Sequence, residues 1–453
     1  MKNNLDTIVA QATPHGKGGI SIIRISGSLS KDIAKIILGT IPESHKVNFC
    51  KILTGKGEII DSGLAILFNS PKSFTGEDIL ELQIHGNPIL VNLVLQRICE
   101  LGARLAYPGE FTQRAFLNRK LDLLQAEAIA DLINATTEQS VFNANRSLQG
   151  KFSFFIQKLS KLMLDLRTKI EAEINFIEDD ISEILASINI KNDISEIIKQ
   201  IKILKAYTQN GILLHNGMNV ILAGDTNVGK SSIFNYLINE NRAIVTDIPG
   251  TTRDILHYQI QLDGIPLNLF DTAGIRESTD IIEIEGINRA WERIGLADQI
   301  LLIVDISRKF DTSKIIDDIL NKFPYKHRIT IIYNKIDLIE KNIRFEQTYN
   351  EIDCIYLSAK YGIGMDLLKK HILSKIGFHV IEDGFSARPR HLEAILEIES
   401  RLLYIRDKLL SSETIDIIAE QLKLTQIILD GITGKITNDD ILENIFSQFC
   451  IGK

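Results

Sequence analysis

The chain has 453 residues, 45% of them hydrophobic and 24% charged, with a formal net charge of −7. That length exceeds one ordinary core and predicts two or three domains. The acidic balance excludes wholesale coating of nucleic acid, though not a local basic patch.

The longest apolar runs, such as "QILLIVDI" and "NVILAG", are strand-length, so no membrane span is expected. The stretch "MKNNLDTIVAQATPHGKGG" lacks the apolar core of a signal peptide. Cys50, Cys99, Cys354 and Cys450 stand far apart, with no CxxC and no metal-ligand spacing. They fit free thiols in a reducing cytoplasm.

In chain order, residues 1 to about 120 mix β-branched strands ("ISIIRIS", "GLAILF", "DILELQIHG") with helical "NPILVNLVLQRICELGA", and predict an α+β domain. From 121 to 215 turn signals nearly vanish, and apolar residues recur at three and four spacing, the pattern of long packed helices. Residues 216 to 378 alternate strands with helices, and the near-continuous apolar strands predict a mostly parallel sheet covered on both faces. After "SARPR", residues 379 to 453 return to helical spacing. Two helical blocks around one α/β block are read as a helical domain with an inserted α/β domain.

"GDTNVGKSS" (Gly224 to Ser232) follows a strand and precedes a helix, which is the phosphate-loop pattern in its required context. Its glycines let backbone N–H groups close on phosphate, Lys230 reaches the terminal phosphates and Ser231 offers a hydroxyl to Mg²⁺. Asn227, Val228, Gly229 and Ser232 complete the loop. "NKID" supplies Asn334, Lys335 and Asp337 after a strand; a carboxylate there accepts from guanine N1–H and the 2-amino group, which adenine cannot match. "SAK" (Ser358, Ala359, Lys360) adds backbone contacts to the base. "DTAG" (Asp271, Thr272, Ala273, Gly274) stands where a carboxylate meets Mg²⁺ through water and an amide senses the γ-phosphate. In this order the motifs predict a GTPase.

Two parts of the catalytic apparatus stay open on spacing alone. Ile275 stands where many GTPases place a water-orienting Gln, leaving Arg276, Glu277, Glu283 and Glu285 as polar alternatives. The cation at the β–γ bridge is either Arg253 or a monovalent ion held by Asn227 and carbonyls of the switch segment "AIVTDIPGTTRD", in which Thr252 is a candidate Mg²⁺ ligand.

"DTIVAQATPHGKGGISIIRISG", "SFTGEDILELQIHG", "YPGEFTQRAFLNRKLDLLQAEAIADLI", the GTPase motifs and the final "CIGK" together resemble the MnmE (TrmE) family of tRNA-modification GTPases along the whole chain. The resemblance implies a folate-binding and homodimer-forming domain over 1–120. It implies a helical domain from 121–215 and 379–453, and an inserted Ras-like G domain over 216–378. It implies a heterotetramer with the flavin-containing partner MnmG (GidA), with FAD on the partner only. By the same resemblance the pair is expected to modify C5 of the wobble uridine of certain tRNAs to carboxymethylaminomethyluridine, using a 5-formyl or 5,10-methylene tetrahydrofolate in the cytoplasm. The resemblance also implies that GTP hydrolysis is activated by K⁺ and by G-domain pairing, without an arginine finger.

Residue by residue, the resemblance puts Asn227, Thr246, Ile248 and Thr251 at the K⁺ site, with Asp247, Pro249 and Gly250 between them in the nucleotide-contacting switch loop. Ser231 and Thr252 fall at Mg²⁺ and Glu283 at the position that orients the attacking water. Arg24, Glu81, Lys120 and Lys453 fall at the folate. "GDTN", Pro249 and "PHGKGG" depart from the family's usual residues without moving any role.

The rival reading is a GTP-dependent ribosome-assembly or switch protein whose flanking parts do no folate chemistry. Cys450, three residues before Lys453 in "FSQFCIGK", has two readings: a nucleophile or proton-transfer group beside the one-carbon carrier, or part of a tail that only orders the pocket. Direct tRNA contact is expected at "RAFLNRK" (Arg114, Arg119, Lys120), whereas the basic residues of "RHLEAILEIESRLLYIR" are read as a solvated face balanced by Glu.

Overall fold

In the computed structural model, the structure describes residues 6–175, 180–240, 257–271, 297–307, 328–339, 344–347, 352–376, 384–408, 415–435, 442, 445–447, 449 and 452, with only the backbone described at 172–175, 180–189, 239–240, 257, 271, 344–345, 347 and 415–416. Two compact units divide the chain: Met1–Ala130, Ser147–Ile201 and Ala394–Lys453 form the first, and Asp131–Arg146 with Lys202–Glu393 the second. Among the described residues no helix is long and apolar enough to cross a membrane.

The first unit opens with a six-stranded sheet in the order β3-β4-β5-β2-β1-β6. Its strands are β1 (Ile8–Gln11), β2 (Gly18–Ser26), β3 (Val47–Leu53), β4 (Ile59–Phe68), β5 (Ile79–Gly86) and β6 (Arg104–Leu105). Alternation decides the faces: Ile23 and Ile25 of β2 and Leu80, Leu82 and Ile84 of β5 are buried, while Arg24 and Glu81 point the other way. The buried face packs against helices α1 (Ser30–Leu38) and α2 (Pro88–Glu100) through Ile33, Ile37, Val91, Val94 and Ile98. Helix α2 starts sharply because Asn87 caps it, accepting from the Ile89 N–H at 2.9 Å, and Pro88 occupies the first helical position.

Behind the sheet, α3 (Glu110–Leu117) carries Arg114 and Phe111 inward. Helices α4 (Leu123–Asn134), α5 (Glu138–Leu148), α6 (Lys151–Asn175) and α7 (Asp180–Asn216) follow, and α10 (Pro389–Lys408) and α11 (Ile415–Ile432) come late in the chain. Helix α4 begins with a reciprocal cap: Gln125 N–H donates to Asp122 Oδ1 at 2.9 Å and Asp122 N–H to Gln125 Oε1 at 3.0 Å. Leu123 and Ala126 at that start pack with Leu442, Ile445, Phe446 and Phe449, which seats the end of the chain beside α3 and α4. Gly452, at φ +95°, lies so close to β1 that a Cβ on it would stand 2.2 Å from the Gln11 carbonyl.

The second unit holds a seven-stranded sheet ordered β12-β13-β11-β10-β7-β9-β8. Strands β7 (Met218–Ala223), β9 (Ile265–Asp271), β10 (Gln299–Asp305), β11 (Ile329–Asn334) and β13 (Asp353–Tyr356) are mutually parallel, and β8 (His257–Leu262) and β12 (Arg344–Gln347) close the edges antiparallel. Every residue of β10 is buried, as expected where both faces are covered. One face packs on α8 (Lys230–Glu240) and α9 (Met365–Ile376) through Leu222, Ile233, Leu237, Leu301, Met365 and Leu368.

The same unit contains a joint of α4, α5, α7 and the segment before α10. Asp131 accepts from Ser386 Oγ through a very short bond and from Arg388 at 3.1 Å, and lies 3.3 Å from His215 Nδ1. Tyr207 stacks on Phe385 with centroids 5.8 Å apart. A cavity of about 270 Å³ opens there, lined in part by Asn134, Asn143, His215 and Gln259.

Candidate functional site

The phosphate loop links β7 to α8, and Lys230 is the first helical residue. Its ammonium is buried and donates to the carbonyls of Gly224 (2.8 Å) and Asp225 (2.7 Å), so the loop curls around the lysine. Asn227 holds a left-handed backbone (φ 61°) with an exposed side chain, and Val228 is buried. Ser231 and Ser232 are exposed in the first turn of α8. The start of a helix offers N–H groups that have no partner within the helix, together with the positive end of its dipole, which suits an anion.

Next to it, the base-reading segment leaves β11. Asn334 is 2% exposed and joins three segments: its Nδ2 donates to Val228 O at 2.8 Å, and its Oδ1 accepts from the Ala359 N–H at 3.0 Å. Lys335, also left-handed (φ 66°), donates from Nζ to Asn227 O at 2.7 Å and to Asp305 Oδ2 at 2.6 Å. Asp337 is exposed, and its Oδ1 accepts from Ser358 Oγ at 2.5 Å. Ser358 is itself held by a two-residue bridge with Ile363, and Lys360 reaches over the Tyr361 ring at 5.0 Å. The structure therefore brings together Asn227, Val228, Gly229 and Lys230 with Asn334, Lys335, Asp337, Ser358 and Ala359 at one end of the parallel sheet.

Asp305 was assigned no role from the sequence, although it is the carboxylate that closes the apolar strand "QILLIVD". It is 4% exposed, and its Oδ1 accepts from the Ser307 N–H (3.1 Å) and hydroxyl (2.6 Å). Burial pushes its pKa up. The Lys335 ammonium and the Ser307 donors outweigh that and hold it below the ordinary carboxylate value.

For Mg²⁺ the donor chemistry fits. The register of β7 with β9 sets Asp271 opposite Leu222, at the end of the sheet from which the phosphate loop springs, so a carboxylate-bearing residue and the Ser231 hydroxyl belong to the same sheet end. Hard oxygen donors of this type suit Mg²⁺. The expected roles of Thr246, Asp247, Ile248, Pro249, Gly250, Thr251, Thr252, Thr272, Ala273, Gly274, Glu283, Cys450 and Lys453, and of the Asp271 side chain, lie outside the described residues.

In the first unit, Arg24 on β2 faces Glu81 on β5 as a direct register pair, and its Nε donates to Glu81 Oε1 at 2.8 Å. The guanidinium lies over Phe74 (5.4 Å) and Phe111 (5.8 Å). Lys120 donates to Pro71 O at 3.0 Å and its stem meets Gly76, so it rests on the same 71–76 segment that carries Phe74. A partly exposed carboxylate–guanidinium pair over two aromatic rings can read a flat heterocycle with donor and acceptor edges, which fits a pterin. Gly452 reaches Gln11, next in β1 to Ala10, the register partner of Arg24.

The basic cluster "RAFLNRK" requires a correction. Arg114 is 1% exposed and donates to Asp6 (2.9 Å), Glu110 (2.9 Å) and Glu77 (3.2 Å), so it is a buried structural cation with no surface to offer tRNA. The sequence concealed this because, although Glu110 stands one turn before Arg114 on α3, Asp6 and Glu77 come from distant segments. In the later basic stretch, Arg401 pairs with Glu397 at 2.8 Å and Arg406 with Asp407 at 2.9 Å, as a balanced solvated face should.

The family model described as "GTP-binding protein TrmE N-terminus" matches residues 7–120, and that described as "MnmE helical domain" matches residues 123–450. A curated tRNA modification GTPase MnmE from Shewanella sediminis is 44% identical over 452 residues, covering 99% of each chain. Its counterpart from Hydrogenovibrio crunogenus is also 44% identical, again over 99% of each chain. Among solved structures, the G domain of the T. maritima FeoB iron transporter is similar over 35% of this chain and 98% of its own, at 26% identity and a TM-score of 0.29.

Proposed function

The chain belongs to the MnmE (TrmE) family of tRNA modification GTPases, and from that premise we propose a potassium-activated GTPase that works with a flavin-dependent MnmG (GidA) partner on the C5 position of the wobble uridine. GTP hydrolysis with Mg²⁺ in tRNA modification follows from the family itself. The finer reading adds a tetrahydrofolate one-carbon donor, a homodimer, a heterotetramer with the partner, and an inserted G domain over 216–378. The reaction would run in the cytoplasm.

In this reading Lys230 and the loop amides hold phosphate, Asp337 selects guanine, and Ser231 and Thr252 hold Mg²⁺. When bound, that ion would supply charge neutralisation at the phosphoryl oxygens. Asn227, with Thr246, Ile248 and Thr251, holds K⁺ where other GTPases use an arginine. Glu283 orients the attacking water. Arg24, Glu81, Lys120 and Lys453 hold the folate, and Cys450 acts beside it.

The observation that carries the reading is one chain with two distinct recognition surfaces. One is the guanine-type junction at Asn334, and the other is the Arg24–Glu81 pair over Phe74 and Phe111. The test is nucleoside analysis of tRNA from cells lacking the protein. The C5 wobble modification is expected to vanish, to return with the native chain, and to stay absent with Arg24→Ala or Glu81→Ala. Unaltered tRNA in the deletion strain would refute the modification reading, and a GTPase rate equal in K⁺ and Na⁺ would refute the cation assignment.

A further inference from the structure

Two adjacent residues of the base-reading segment tie down two adjacent residues of the phosphate loop. Asn334 bonds the Val228 carbonyl at 2.8 Å, and Lys335 bonds the Asn227 carbonyl at 2.7 Å. The two ties differ in what secures them. Asn334 is a short amide, 2% exposed and fixed at its other end by the Ala359 N–H, so burial and that bond together hold it. Lys335 is a long, flexible ammonium on a partly exposed stem, and such a side chain left to itself samples many rotamers. Its position is set from the far side by Asp305, whose Oδ2 lies 2.6 Å from Nζ. Asp305 in turn is held from two sides: it is buried at the end of β10, and both Ser307 donors bond its other oxygen.

We infer that Asp305 is a positioning residue for the guanine nucleotide. It holds Lys335 against Asn227 and thereby clamps the base-reading segment to the phosphate loop, so that base and phosphates are bound against one rigid frame. The order of bonds is Ser307 to Asp305, Asp305 to Lys335, Lys335 to the Asn227 carbonyl. Without the carboxylate, Lys335 has a route to solvent and the clamp opens, while the Asn334 tie still keeps the two loops in register. The loss should therefore fall on nucleotide recognition more than on folding. Base discrimination should suffer with affinity, because Asp337 stands two residues beyond Lys335 on the same short turn and needs a fixed backbone to meet N1–H and the 2-amino group. Asn227 supplies the carbonyl at the far end of the chain of bonds and also the side chain proposed for K⁺, so the same clamp orients that residue.

This inference rests on the assignment of Asp337 to guanine, and the experiment keeps the two separable. Purified full-length native protein, Asp305→Ala, Asp305→Asn, Ser307→Ala and Asp337→Asn are titrated with fluorescent GDP. Unlabelled GDP, IDP (which lacks the 2-amino group) and xanthosine diphosphate then compete, and thermal melts are recorded without nucleotide. Asp305→Ala is expected to weaken GDP by about tenfold or more, the scale of one charge-assisted hydrogen bond. It should also compress the preference for GDP over IDP, with melting little changed. Asp305→Asn should fall between Asp305→Ala and native, and Ser307→Ala should move the same way by less. If Asp305→Ala fails to fold, the Asn and Ser307 variants carry the test.

GDP affinity and GDP-over-IDP preference both at native values in the Asp305 variants would overturn the inference. So would an equal loss for both bases accompanied by a lowered melting point, since that marks a structural role only. Asp337→Asn gaining xanthosine diphosphate beside unchanged Asp305 variants would refute Asp305 alone. Asp337→Asn with unchanged base preference would remove the guanine assignment and the inference with it.

Discussion

Replacing Gly229 by alanine tests whether the phosphate loop and the base-reading segment are one mechanical unit. Gly229 holds φ +101°, and a Cβ there would stand 2.1 Å from Asn334 Nδ2. No rotamer relieves this, because Asn334 is buried and committed at both ends, to Val228 O and to the Ala359 N–H. The alanine must therefore adopt a backbone that costs about 1–2 kcal/mol and evict an amide whose lost buried bond costs about 1–3 kcal/mol. Taken together this is on the order of 3 kcal/mol; the free loop relaxes to shed it, nucleotide binding has to restore it, and affinity falls by up to about a hundredfold. The hydrophobic cluster under the sheet does not include Gly229, so the fold should persist. Titration with a fluorescent GDP analogue, alongside a thermal melt without nucleotide, measures both. Affinity within threefold of native would refute the reasoning.

The acid response of the first unit follows from Glu110, which is buried between Arg104 (2.6 Å) and Arg114 (2.9 Å) and accepts from the Tyr107 N–H. Burial pushes its pKa up, but the two guanidiniums and the amide outweigh it, so the folded value lies below the ordinary 4.5. Its stabilisation is therefore present above about pH 4.5 and lost as pH falls through the folded value. Glu110→Gln should cost about 2 kcal/mol or more at pH 7 and flatten the acid dependence of the melting point; a melting point and pH profile matching native would contradict this. Gly452→Ala should release the tail from β1, because its Cβ would meet Gln11 O at 2.2 Å. Carboxypeptidase should then remove the last residues faster, and an unchanged digestion rate would count against tight docking. Glu283→Ala should bind GTP as native does while turnover drops roughly 10²-fold or more, and full turnover would exclude it as the water-orienting group.

The sequence disclosed the parts of the fold whose cause is local. β7, the phosphate loop and α8 follow one another without interruption, so strand period, glycine spacing and helix period can all be read in one short stretch. Unbroken burial made β10 recognisable for the same reason. The Asp305–Lys335 pair was concealed, because its partners lie on neighbouring strands joined by a long crossover and nothing near Asp305 marks it as fixed. Arg114 was misread for a related reason: its charge is visible in the sequence, but Asp6, Glu77 and Glu110 reach it only after the sheet and α3 assemble. The Asp131 joint draws on His215, Ser386 and Arg388, residues that no spacing rule connects. Local chemistry identified the nucleotide motifs, and tertiary assembly supplied what holds them.

The seating of Phe446, Phe449 and Gly452 beside α3, α4 and β1 has a consequence in time. β1 and its neighbour β2 are synthesised long before Gly452, the residue that abuts Gln11. At roughly 5–20 residues per second, the sheet waits on the order of 20 to 90 seconds for that contact. A nascent chain can thus build this sheet early, while the ground beside Gln11 stays bare until the segment around Gly452 has been made. A product of termination before Gly452 would carry a folded sheet with that ground uncovered.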